Sequence, residues 1–198
     1  MKTNRIKLFF DLEFSGLHQK TTPISLGIVA SNGLTFYAEF TDFDQSQIND
    51  WIEKNVMKYL SMKEDGWLFN TTKLIERQRN VYGDKNFIAI QLVMWLQQFE
   101  QIEFWGDVPH YDWVLFCEIF GGAFSIPKNI YYIPFDIATM FRDCGIDPDI
   151  DRVKFINEHS KHISGYANHH SLADATKTLD CYFLLEKILN ERKFSTTQ

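Results

Sequence analysis

Apolar and polar residues alternate from Ile6 to Phe14, a stretch rich in aliphatic and aromatic side chains, and this is the period of a strand. Ile24 to Ala30 and Leu34 to Phe40 predict two more strands. They are joined across Ser31-Asn32-Gly33, whose Asn-Gly pair is a strong hairpin signal. The chain therefore opens as a three-stranded antiparallel meander. The period then changes. Ile48, Trp51, Ile52, Val56, Tyr59 and Leu60 recur at helical spacing and predict an amphipathic helix. Phe87 to Phe99 is apolar on nearly all sides and predicts a mostly buried helix. Ile102 to Trp105 predicts a short strand, and a helix follows through Trp113 to Phe120, stopped at Gly121-Gly122. Ile130 to Ile133 predicts a further strand, Ile137 to Arg142 a short helix stopped by Gly145, and Ser171 to Leu189 the last helix. Ser61 to Asn86 and Asp147 to Asn168 read as irregular polar loops over a site. A meander followed by alternating helices and strands implies an α/β fold, a mixed sheet flanked by helices. Without a repeat or a linker, residues 1–198 are expected to form one domain.

Composition narrows the class. The chain has 198 residues, of which 45% are hydrophobic and 23% charged, close to the globular average and enough for a core that needs no staple. Runs such as Leu8 to Phe10 fall far short of the roughly 20 apolar residues of a membrane span. After Lys2, Arg5 and Lys7, Asp11 interrupts the apolar stretch well before the about 7 residues a signal peptide needs. A cytoplasmic protein with no membrane partner is expected. Cys117, Cys144 and Cys181 are odd in number and in no CxxC spacing, and they read as reduced core thiols. The net charge of −6 argues against a nucleic-acid partner. That argument lapses if some carboxylates hold divalent metal, since two such ions reverse the local field.

Several acids invite a closer look. Asp11 and Glu13 lie two apart on the first strand, which puts both on one face and Phe10, Leu12 and Phe14 on the other. Adjacent like charges repel and lose hydration there, and a hard cation with oxygen ligands removes the difficulty. A strand end in water also removes it. Asp112, in His110-Tyr111-Asp112-Trp113, is an N-cap or first-turn acid favoured by the helix dipole. Ser171-Leu172-Ala173-Asp174 has capping-box spacing, and a first-turn acid can also face a neighbouring sheet. His169 precedes a helix that starts at Ser171, and a loop histidine accepts a proton near neutral pH or simply sits in water. His159, His162, His169 and His170 also cluster in sequence, as in a zinc module, but with no cysteine beside them. Lys73, Arg77, Arg79 and Lys85 are the densest basic patch, suited to a phosphate backbone or to a solvated face.

The order of these residues carries more than any one of them. DLEFSGL, then HYDW, then HHSLADA resembles the three motifs of the DEDDh branch of the DnaQ-like 3′-5′ exonucleases, which have a ribonuclease-H-like fold. Asp11-Leu12-Glu13-Phe14-Ser15-Gly16-Leu17 fits the first motif at every fixed position, and His169, Leu172, Asp174 and Ala175 fit the third. Asp112 sits where the second motif places its acid. Within that family the chain is most similar to the bacterial exoribonuclease AS type. The similarity lies in Glu13-Phe14, in Ile24 to Ala30, in Trp51-Ile52 with Val56 and Leu60, and in Tyr111-Asp112 with Cys117 and Gly121. Ser61 to Asn86 and Pro148 to Asn168 have no counterpart in that pattern.

The resemblance implies a five-stranded sheet and an enzyme that shortens single-stranded RNA from its 3′ end to 5′-mononucleotides, with DNA as the alternative substrate. Adenosine-rich tails are the RNA it suggests. Asp11, Glu13, Asp112 and Asp174 are the implied ligands of two Mg2+ (or Mn2+) ions, and His169 the implied general base. Phe14, Ser15, Gly16 and Leu17 are implied to bind substrate, Leu17 against the terminal base, whereas Phe14 also reads as core. A homodimer is implied by related enzymes. The aromatic load of 18 Phe, 5 Trp and 8 Tyr suits a dimer interface and a rich core equally.

Overall fold

β1 (Ile6–Phe14) crosses the middle of the sheet, and its alternation divides two cores. Leu8, Phe10 and Leu12 point to one side and pack with Phe104, Phe116, Leu92 and Trp95. Phe9 points to the other and packs with Phe141, Phe155, Cys181 and Tyr182. Asp11 and Glu13 share the parity of Phe9, so the two carboxylates project from the same side as that second core. The structure is a computed structural model and describes residues 5–160, 166 and 169–195.

β2 (Pro23–Ala30) and β3 (Thr35–Phe40) complete the antiparallel meander, with Leu12 opposite Leu26 and Leu26 opposite Ala38. After α1 (Asp50–Asn55), β4 (Thr71–Ile75) and β5 (Gln78–Gly83) form a hairpin, and β5 pairs in parallel with β3. α2 (Lys85–Leu96) leads to β6 (Ile102–Gly106), which runs parallel to β1. α3 (His110–Ile119), β7 (Phe135–Asp136), α4 (Ile137–Asp143), α5 (Arg152–His159) and α6 (Ser171–Ser195) finish the chain. The sheet order is β4-β5-β3-β2-β1-β6-β7, mixed in direction, with α2 and α3 on one face and α4, α5 and α6 on the other. The α/β class is as expected, with seven strands in place of five.

Three expectations change. Ser61 to Asn86 is not a loop over a site: half of it is the β4–β5 hairpin, which extends the sheet at the edge away from the acids. Its turn uses Glu76 in the left-handed region (φ 54°), without the Asn-Gly that marks most such turns. Asp147 to Asn168 contains α5, capped by Asp151, whose carboxylate accepts from the Lys154 N–H. Residues 161–165, 167 and 168 of that stretch lie outside the described residues. Ile130 makes a single bridge to Ile102, and Tyr132 and Ile133 are exposed, so the last strand forms after Pro134, at Phe135.

Two helices also depart from their patterns. The helix read from Ile48 to Leu60 regularises only over α1 and then tightens at Val56 into a 3₁₀ turn, Met57–Tyr59. α2 buries Ile88, Leu92, Trp95 and Leu96 but leaves Ile90 and Met94 open to solvent, so its all-round apolarity overstates its burial. All three cysteines are buried and reduced. Among the described residues, no helix is long and apolar enough to cross a membrane.

α6 lies across β1 and β2, and its start touches the sheet closely. A β-carbon on Gly27 would stand 2.2 Å from the Leu172 backbone nitrogen, so only glycine fits under that turn. Beside it the buried hydroxyls of Ser25 and Ser171 are 3.0 Å apart and share a hydrogen bond.

Candidate active site

β1 and β6 pair only as far as Phe9 and Trp105, after which β6 turns away through Asp107–Pro109 into α3. The chain neighbours of β1 lie in opposite directions, β2 to one side and β6 to the other. Beyond the carboxyl ends of such strands an α/β sheet opens a crevice. Leu12 has no partner on the β6 side here, and its N–H donates to Asp112 Oδ1 at 2.9 Å. Asp112, in the first turn of α3, is thereby tied to the strand carrying Asp11 and Glu13. Pro109 precedes the helix and caps nothing with its side chain, so Asp112 is a first-turn acid rather than the N-cap.

Asp174 comes from the opposite side, on the first turn of α6. Its Oδ2 accepts from the His170 N–H at 3.1 Å, and His170 Nδ1 accepts from the Ala173 N–H at 3.4 Å. That reciprocal pattern makes His170 the capping residue and leaves Ser171 to the sheet. The His170 ring stacks on Tyr37 with centroids 4.9 Å apart and meets the edge of Tyr59. Burial lowers its pKa. His170 is a structural cap that orients Asp174.

One carboxylate oxygen each from Asp11, Glu13 and Asp174 lies within 4.8 Å of the others. Among the described residues this is the only cluster of potential ligand side chains. His159 bonds the Phe155 carbonyl and His170 is held by Tyr37, so the described histidines form no zinc site; His162 lies outside the described residues. The acids are recessed, and the electrostatics reflect it. Burial, followed by the charges of Asp112, Asp174 and Glu13, raises the Asp11 pKa well above the carboxylate range. Glu13 is pushed up to about 8 by burial and then by Asp174 and Asp112. Asp112 rises to about 6 through burial, against the Leu12 N–H that stabilises its ionised form. Carboxyls held this far above their usual range are short of positive charge. Clustered oxygen donors of this kind fit hard divalent cations.

The acids floor a cleft of about 550 Å³. His169 reaches the same cleft, with its backbone in the left-handed region (φ 59°) and its ring edge-on to Trp51 at 4.8 Å. A non-glycine residue in that region carries backbone strain, which clusters at functional sites. Phe14, Gly16 and Leu17 also line the cleft; Leu17 is 77% exposed, while Phe14 is half-buried and stacks on Tyr111. Ser15 stands behind the cleft wall. Its buried hydroxyl bonds Gln47, Thr22 and Thr21 and fixes the turn that presents Leu17.

Sequence reasoning gave no role in the cleft to three other residues: Asn49, Trp51 and Lys177. Trp51 occupies an apolar position of a helical pattern, yet it is 54% exposed at the cleft mouth. Asn49 caps α1, accepting from the N–H groups of Trp51 and Ile52, and so holds Trp51 in place. The basic patch is dispersed: Lys73 lies over Trp67, Arg77 bonds the Asn32 carbonyl and Arg79 reaches the Gln91 carbonyl on α2.

Comparison with known proteins follows the same lines. Two Mycobacterium tuberculosis proteins, 3′-5′ exoribonuclease MT2234.1 (strain CDC 1551 / Oshkosh) and 3′-5′ exoribonuclease Rv2179c (strain ATCC 25618 / H37Rv), are each 24% identical to this chain over 142 residues. The match covers 71% of this chain and 76% of each of them. Among solved structures, the Neurospora crassa Pan2 catalytic unit (protease and nuclease domain) aligns with 97% of the chain at a TM-score of 0.49 and 14% identity. This chain spans 29% of that one. Residues 6–183 match the family described as the 3′-5′ exoribonuclease Rv2179c-like domain, so the chain belongs to that family and is a 3′-5′ exonuclease.

Proposed function

We propose that the protein is a divalent-metal-dependent exoribonuclease that removes 5′-mononucleotides from the 3′ end of single-stranded RNA. The observation that carries this reading is the convergence of Asp11, Glu13, Asp112, Asp174 and His169 on one cleft. Two relatives named exoribonucleases favour RNA over DNA. Adenosine-rich 3′ tails are the substrate class carried by the resemblance to the AS type, and residues 1–198 act in this reading as one exonuclease domain.

Asp11, Glu13, Asp112 and Asp174 would hold the cations. When bound, a pair of magnesium or manganese ions supplies the positive charge that steadies both the attacking and the leaving oxygen of an in-line displacement. The chain's own groups do the rest. His169 takes the proton of the attacking water; its position on the cleft, ahead of the rigid α6, brings the imidazole to the scissile phosphate without disturbing Asp174. Leu17 and Trp51 face the mouth, and a terminal base would stack there with little regard to its identity. Phe14, stacked on Tyr111, backs that contact from inside.

The test uses 5′-labelled RNA and DNA of one sequence, and an oligoadenylate, with magnesium or with chelator. A magnesium-dependent ladder shortening from the 3′ end of RNA is expected, and Asp11→Ala should abolish it in a protein that melts normally. Equal digestion of DNA would keep the chemistry and change the substrate. Full activity of clean Asp11→Ala would overturn the assignment of the site.

A further inference from the structure

One charged group inside the cleft takes no part in the reaction described above. Lys177 lies one helical turn beyond Asp174 on α6, and its ammonium pairs with Asp174 Oδ1. Their side chains are 12% and 20% exposed, so this is a recessed pair rather than a surface one. The lysine's charge also acts on Asp11 and Glu13, opposing the rise of their pKa values. It thus serves the same three carboxylates that cluster as potential metal ligands.

An ammonium and a divalent cation make incompatible claims on one carboxylate. Each needs the Asp174 oxygens at close range, and the two positive charges repel. Two divalent ions balance four carboxylates by themselves, which makes the lysine charge surplus at Asp174 once they bind. The fold offers it another place. Lys177 also lines an adjoining cavity of about 390 Å³, whose wall carries Asp107, Asp149 and Asp151. Asp107 is held there by a two-pronged bond from Arg152, at 2.7 and 2.8 Å. A four-carbon stem with freely turning bonds spans two such neighbours without any backbone movement.

We propose that Lys177 is the built-in counter-ion of the cleft: it holds Asp174 in the metal-free protein and swings toward the Asp107, Asp149 and Asp151 wall when a divalent cation engages Asp174. The inference rests on the reading of the four acids as metal ligands. Lys177 is then a competitor of the metal, which weakens divalent binding while protecting the empty fold from its own carboxylates.

The experiment is calorimetric titration of Mn2+ alone, with no RNA, into the full chain, Lys177→Met and Lys177→Arg, with melting curves in chelator for each. Lys177→Met should bind Mn2+ at least about tenfold more tightly, since one unit charge matters this much to a divalent ion even at the dielectric of water. Its metal-free form should melt lower than the parent. Lys177→Arg keeps the charge and should bind as the parent does. If Lys177→Met folds only with metal present, Lys177→Gln takes its place, with the same tightening expected. Unchanged or weaker Mn2+ binding in the neutral variants, beside normal binding by the parent, would overturn the competitor role alone. A parent chain that binds no Mn2+ would overturn the metal reading and the lysine proposal together.

Discussion

On the floor of the cleft, Asp11 and Glu13 stand on a central strand, Asp112 is tied to that strand by a 2.9 Å bond and Asp174 is fixed by its helix cap. At the mouth, Leu17 and Trp51 are 77% and 54% exposed and belong to a turn and a short helix. A rigid floor suits the proposed metal reading, in which recessed acids must present their oxygens to cations with little misplacement. The mouth is open, which suits the proposed stacking on a base, since stacking accepts a range of geometries. His169 bridges the two, contacting Trp51 on one side and leading into α6 on the other. In the proposed reading, chemistry and recognition are thus built to different tolerances within one cleft.

Mutations should separate the two regions. His169→Ala strikes the chemistry directly and should lower kcat by about 10²–10⁴-fold. Single-turnover rates at saturating RNA measure it, and an unchanged rate would remove the proton-accepting role from His169. Trp51→Ala acts at the mouth. It should raise KM by about 5- to 150-fold, the equivalent of roughly 1–3 kcal/mol of stacking, with kcat nearly constant. A loss confined to kcat would mean instead that Trp51 works by holding His169.

The smallest effect expected sharpens the account of the floor. Glu13, pushed up to about 8, and Asp112, up to about 6, both have folded-state pKa values above those of the unfolded chain. A raised carboxyl contributes stability that is fully present below its unfolded value, near pH 4, and is lost as pH rises through the folded value. In chelator the melting temperature should therefore fall between pH 4 and 8 by several degrees. Glu13→Gln should flatten that slope, and magnesium should offset the loss at the alkaline end. A metal-free protein equally stable across this range would show that the acids carry no such burden.

The floor was legible in the sequence, but at the mouth only Leu17 was, for a physical reason. Strand period places Asp11 and Glu13 on one face and Asp174 lies three residues into its helix, while the motif resemblance, not the spacing, joins them in one site. Trp51 reads as core because it keeps helical phase with Ile52 and Val56. The helix breaks after Asn55, and only the tertiary packing of Ile52 and Val56 on Ile24 turns Trp51 outward. Ser15 adjoins the motif acids, and the sequence does not show that its hydroxyl bonds Gln47 and two threonines. The β4–β5 hairpin escaped notice because Glu76-Arg77 makes its turn and Leu74 and Ile75 face solvent. α5 escaped because only Phe155 and Ile156 in it are buried.

Gly27 sets a fixed clearance. With the Leu172 nitrogen 2.2 Å from where a β-carbon would stand, it is a gauge block of zero thickness between the sheet and α6. The spacing from the Asp11 and Glu13 strand to the Asp174 helix is set by bare backbone contact, with no side chain able to wear or adjust it. A single methyl at residue 27 is therefore a shim: it would lift the start of α6 and carry Asp174 away from Asp11 and Glu13, although all three carboxylates are retained.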